Sequence, residues 1–88
     1  MEGRETLIDF PCTYPLKVVG KNTEEFQTEV RSIMAKHVPE PAEVRYSSRT
    51  SSGDKYLSLT ATFVAQNQEQ LTAIYADLAG NKLVLVAL

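Results

Sequence analysis

The feature that most constrains this chain is the run from Tyr56 to Phe63, where polar and apolar side chains alternate at every step. Leu57, Leu59, Ala61 and Phe63 fall on one side of an extended strand, and Tyr56, Ser58, Thr60 and Thr62 on the other. Such alternation, with hydroxyls filling one side, marks an antiparallel strand that is buried on one face and wet or partnered on the other. A strand of this kind needs neighbours in a sheet and a single covering layer.

The rest of the chain supplies both. Tyr14 to Lys21 reads as a first strand, with Leu16 and Val18 on one side, Lys17 and Val19 on the other, and Gly20 closing it. Asn22 followed by Glu25 is a capping-box pattern and predicts a helix start. Phe26, Val30, Ile33, Met34 and His37 then recur at helical spacing until Pro39 and Pro41 stop the helix. Glu43 to Ser47 reads as a short second strand with Val44 and Tyr46 on one face. The stretch SSRTSSGDK, residues 47–55, reads as a long flexible hairpin loop before the alternating strand. Asn67 followed by Gln70 repeats the capping pattern ahead of Leu71, Ile74, Tyr75 and Leu78. Gly80 falls where a helix end favours the left-handed conformation. The closing KLVLVAL reads as a last strand, Leu83, Leu85 and Ala87 facing one way and Val84, Val86 and Leu88 the other.

Strand, helix, strand, strand, helix, strand is the order of an α+β, ferredoxin-like βαββαβ sandwich. Each helix has one apolar stripe, so both should cover the same face of a four-stranded antiparallel sheet. The crossover rule puts the first strand in the centre, the third beside it and the fourth at an edge. With 88 residues, 43% of them hydrophobic, the chain suits one domain. Residues 14–88 are expected to form it, and residues 1–13 an N-terminal extension.

Composition disfavours several functions. The net charge is −2, and the nine basic residues are scattered along the sequence. Nucleic-acid partners depend on clustered Lys and Arg, and RNA readers on stacked aromatics, whereas the wet face offers Tyr56 alone. No apolar run approaches the ~20 residues that span a bilayer. Met1 to Phe10 holds three acidic residues and no basic stretch leading into an apolar one, unlike a secretory leader. Cys12 is the one cysteine, which rules out an internal disulfide and points to the cytoplasm.

Candidate sites are few. Cys12 is expected ahead of the first strand with no basic neighbour to stabilise a thiolate, and His37 has no identifiable proton-transfer partner. One Cys and one His do not make a zinc site, so no metal and no cofactor is expected. Gly20, Lys21 and Asn22 form a strand-to-helix turn whose backbone N–H groups suit an anion or small ligand. Lys17, Val19, Tyr56, Ser58 and Thr60 should line the uncovered sheet face, and Val84 and Val86 the outer side of the last strand. That strand bears no charge past Lys82, so a cover is expected over it. Two covers suit it: the N-terminal Leu7, Ile8 and Phe10 folding back, or a second subunit in a homodimer.

Phe10-Pro11, Lys17-Val18-Val19-Gly20, Ser47-Ser48-Arg49, Tyr56, Ser58, Tyr75 and Leu78, in this order and spacing, resemble the bacterial YbeD-like family of short proteins. The resemblance runs from Phe10 to the C-terminus; residues 47–55 depart from it, being longer and richer in serine. It implies a ferredoxin-like fold similar to the ACT regulatory domains, which bind small metabolites at subunit interfaces, with the strand-to-helix turn in the ligand site. Together the residues and the resemblance predict a non-enzymatic regulatory or interaction module that binds a small metabolite or a partner protein. The alternatives are a small enzyme using Lys21, Lys55 or His37, and a structural dimerisation subunit.

Overall fold

The computed structural model describes residues 9–40 and 42–88. They form β1 (Cys12–Lys21), α1 (Glu24–His37), β2 (Arg45–Thr50), β3 (Tyr56–Ala65), α2 (Gln68–Ala79) and β4 (Val84–Ala87). The sheet order is β2-β3-β1-β4 with every pairing antiparallel, so the first strand is central and the last is an edge, as the crossover rule requires. Leu16 and Val18 of β1 and Leu57, Leu59, Ala61 and Phe63 of β3 are buried against Phe26, Val30 and Met34 of α1 and Leu71, Ile74 and Leu78 of α2. Both helices therefore cover one face of the sheet. The fold is the predicted ferredoxin-like sandwich.

Several local expectations are corrected. Cys12 and Thr13, expected ahead of the domain, already belong to β1, where they pair with Ala65 and Val64. The cap of α1 is Thr23, whose Oγ1 accepts the Phe26 N–H at 3.1 Å, and not Asn22. Lys21 still pairs with Tyr56 in the sheet, so the chain turns away one residue later than the capping pattern suggests. Asn22 instead ties this turn to the β2–β3 hairpin, donating its N–H to the Lys55 carbonyl and its Nδ2 to the Asp54 carbonyl.

At α2 the expected cap is present, the Asn67 side chain accepting the Gln70 N–H at 2.8 Å. The Gln70 side chain bridges outward, accepting the Gln66 N–H and donating to the His37 carbonyl, each at 2.8 Å. It thus joins the start of α2 to the end of α1. Gly80 is right-handed, with φ −84° and ψ −2°, so the expected left-handed cap is absent. The α2 carbonyls of Ala76 and Leu78 are met by the Gly80 and Asn81 N–H groups without it.

The largest revision concerns residues 47–55. The second strand continues past Ser47, so Ser48 to Thr50 are strand, not loop, and run beside Leu59 to Leu57 of β3. The connection shrinks to a tight turn across Ser51 to Lys55, closed by the Ser51 N–H on the Tyr56 carbonyl, with Gly53 and Asp54 both at positive φ. Val44, expected in the second strand, precedes it. Tyr46 is on the core side, where the Arg31 guanidinium of α1 lies 4.4 Å from its ring centroid.

The last strand is also shorter and less regular than predicted. Val19 pairs with Val86 and Gly20 with Val84, so Leu85 is an extra residue opposite one step of β1. This bulge breaks the alternation. Val84 and Ala87 share the core side with Leu83, whereas Leu85, Val86 and Leu88 are exposed.

Candidate functional site

Register determines what the uncovered face presents. Lys17 lies across from Thr60, which lies across from Ser47; one repeat along, Val19, Ser58 and Arg49 form a parallel row. The predicted residues Lys17, Val19, Ser58 and Thr60 thus come together, joined by Ser47, expected at the end of the second strand, and by Arg49, expected in the loop after it. Lys17, Ser47, Ser48, Arg49, Ser58 and Thr60 line a shallow depression of about 330 Å³. Tyr56 stands at one end of the face, opposite Lys21 and 43% exposed. Val86 adjoins Val19 at the β4 edge, but Val84 turns to the core, leaving one of the two predicted β4 residues on this face.

All four basic residues within the strands fall on this face. Lys17 and Lys21 of β1 share it by the period of two, and Arg45 and Arg49 reach it through pairing with Thr62 and Ser58. None of the four strands contains Asp or Glu. The helices hold acidic residues instead, among them Glu24, Glu25, Glu29, Glu69 and Asp77. The ion pairs among the described residues also lie in that layer, where Asp77 meets Lys36 and His37. Charges scattered in sequence are thereby sorted into a basic sheet face and a largely acidic helix layer. A second depression nearby contains Glu43 beside Arg45, whereas the Lys17–Arg49 depression is lined without a carboxylate.

The β1–α1 turn is differently committed. Gly20 is buried within β1, and a methyl group there would come 2.4 Å from Phe26 Cε1 and 2.6 Å from the Leu83 carbonyl oxygen. Its lack of a side chain admits α1 and the β4 approach. The N–H groups of Asn22, Thr23 and Phe26 are bonded to Lys55, Lys21 and Thr23, and Glu24 and Glu25 add negative charge to the first helical turn. An anion gains little from such an N-terminus. Lys21 and Asn22 border the open face and do not form a separate cradle.

Of the residues considered for catalysis, Lys21 and Lys55 adjoin at the β1–α1 turn, but His37 does not join them. Lys21 precedes α1 and His37 ends it, and the 14-residue helix between them measures about 21 Å. His37 Nε2 is 2.6 Å from Asp77 Oδ2, in a contact between helices. Hydrogen bonding from His37, then from Lys36, holds the Asp77 carboxyl below the usual carboxylate range. Cys12 is half-buried against the core. Among the described residues, no three His, Cys, Asp or Glu side chains group to hold a metal ion, and no helix is long and apolar enough to cross a membrane.

Four antiparallel strands backed by two helices, with an open hydroxyl-bearing face, define a ferredoxin-like domain. Solved structures agree. A protein from H. pylori superimposes with a TM-score of 0.76 at 16% identity, covering 99% of this chain and 91% of that one. The ACT domain of the GTP pyrophosphokinase of Chlorobium tepidum superimposes with a TM-score of 0.64 at 13% identity, covering 86% and 94%. Residues 5–88 match the family model described as protein of unknown function (DUF493), and the chain belongs to that family. Its curated relatives include a UPF0250 protein of Paraburkholderia phymatum, 42% identical over 96% of this chain and 94% of that one. Another, from Chromobacterium violaceum, is 36% identical over 99% and 98%. The resemblance to the YbeD-like family is therefore shown.

Proposed function

We propose that this chain is a non-enzymatic regulatory or interaction module of the cytoplasm that binds a small metabolite or a partner protein through its open sheet face. The observation that carries the reading is the face itself: hydroxyl and basic side chains from β1, β2 and β3 gathered over a depression, on the side away from both helices. The likeness to the ACT domain of a GTP pyrophosphokinase is an analogy of fold that accompanies this reading and does not carry it. The separation of His37 from Lys21 by the length of α1 weighs against the enzyme alternative. A homodimer draws on a different feature, the exposed Leu85, Val86 and Leu88 at the β4 rim.

The test is an amide NMR screen against a metabolite collection and against protein fractions of a bacterial extract. Binding should move the Val19, Tyr56, Ser58 and Thr60 signals and leave those of α1 and α2 in place. Shifts confined to the helix layer would refute the site. Substrate turnover lost on Lys21→Ala, Lys55→Ala or His37→Ala would refute the non-enzymatic role.

A further inference from the structure

The geometry points to a narrower ligand class: the depression between Lys17 and Arg49 binds a small dianion, a phosphate monoester or a dicarboxylate. This inference rests on the open face being the binding surface and adds the chemistry of what binds. Lys17 and Arg49 stand at diagonal corners, two strand spacings across and one two-residue repeat along, about 12 Å apart, with the hydroxyls of Thr60 and Ser47 in the Lys17 row and of Ser58 in the Arg49 row. Side chains of this length can reach toward one anion held between them. Lysine and arginine only donate, and a hydroxyl is free to donate, so the lining favours a ligand with several acceptor oxygens. Two flanking cations call for two negative charges.

Three further observations narrow the choice. The lining includes no carboxylate, unlike the adjacent depression with Glu43 beside Arg45. The surrounding strands are free of Asp and Glu, so the local field is positive although the whole chain carries −2. The depression, about 330 Å³ with a hydroxyl floor, has room for a small polar ligand. Nucleic-acid phosphates fit less well, since among the described residues Tyr56 is the single aromatic side chain on this face for a base to stack on.

Inorganic phosphate and succinate, each titrated into the labelled protein at low ionic strength with chloride as the control, provide the test. Saturating shifts are expected at the amides of Lys17, Ser47, Arg49, Ser58 and Thr60 with at least one dianion, and the tighter of the two identifies the class. A Lys17→Gln/Arg49→Gln double variant should bind at least about tenfold more weakly, because it loses two charge-assisted contacts. Lys82→Gln, in the α2–β4 connection beside Glu25 and Glu29, should bind as the wild type does. Shifts that stay linear, match chloride or persist in the double variant would overturn the inference. If the dianions leave the face unmoved while a neutral compound or a protein fraction moves it, the dianion inference falls and the binding-face reading stands. If nothing moves it, both fall.

Discussion

Gly20 is where sequence and structure give the same residue different meanings. A glycine ahead of a helix suggests an anion site, yet its surroundings are the fully buried Phe26 ring and the Leu83 carbonyl. Phe26 has no room to retreat, and the carbonyl belongs to backbone. Gly20→Ala should therefore destabilise the fold by about 3 kcal/mol, the upper part of the range for overpacking, read as a lower urea midpoint by circular dichroism. A cost under about 1 kcal/mol would show that the contact is soft. Asp77 gives a second prediction at this scale. Its folded carboxyl, hydrogen-bonded by His37 and Lys36, keeps its charge to lower pH than in the unfolded chain, where the ordinary value is 3.8. The stability it contributes is thus complete above that value and lost as pH falls below it. Asp77→Asn should lower the unfolding temperature at neutral pH, and the gap from wild type should close below the ordinary carboxylate range. A gap that stays constant into acid would assign the contact no role in the pH dependence.

At the scale of elements, the legible parts were those whose periodicity reports burial. β3 alternates because one of its faces is packed on both helices, and its bounds match the reading from Tyr56 to Ala65. The helices were legible through their apolar stripes, although the cap of α1 was displaced by one residue. Thr23→Ala should cost about 1 kcal/mol as the loss of a cap, and Asn22→Ala less, since its side chain makes a single exposed bond to the hairpin. Equal losses, or a larger one at Asn22, would reverse that assignment. The second half of β2 was illegible for a physical reason. Ser47, Ser48, Arg49 and Thr50 are all exposed, so no alternation exists to read, and runs of Ser and Thr equally favour turns. Its strand state comes from the ladder that β3 offers. The β4 bulge was hidden likewise, because an all-apolar run carries no mark of where one residue is skipped.

At the scale of the molecule, the charge pattern needed the fold to appear. Lys17 and Arg49 are far apart in sequence, and only the β1–β3–β2 register sets them around one depression. The hydroxyl half of the candidate site was readable from β3, whereas the basic half beyond Lys17 was not. The same pattern bears on self-association. A twofold pairing through the open face would set the basic residues of one copy against those of the other, an arrangement that symmetry cannot relieve. Pairing through the β4 rim escapes that repulsion but has three exposed apolar side chains, Leu85, Val86 and Leu88, at its centre. Stable interfaces use about 20 residues a side. The expected outcome is a single-chain mass by light scattering at micromolar concentration, in low salt and in high salt alike. Any dimer that forms on concentration should vanish in Val86→Lys, which puts charge on the rim without disturbing a buried position. A dimer that survives this substitution and strengthens with salt would mean that the sheet faces pair after all, because added ions screen the very repulsion invoked against it.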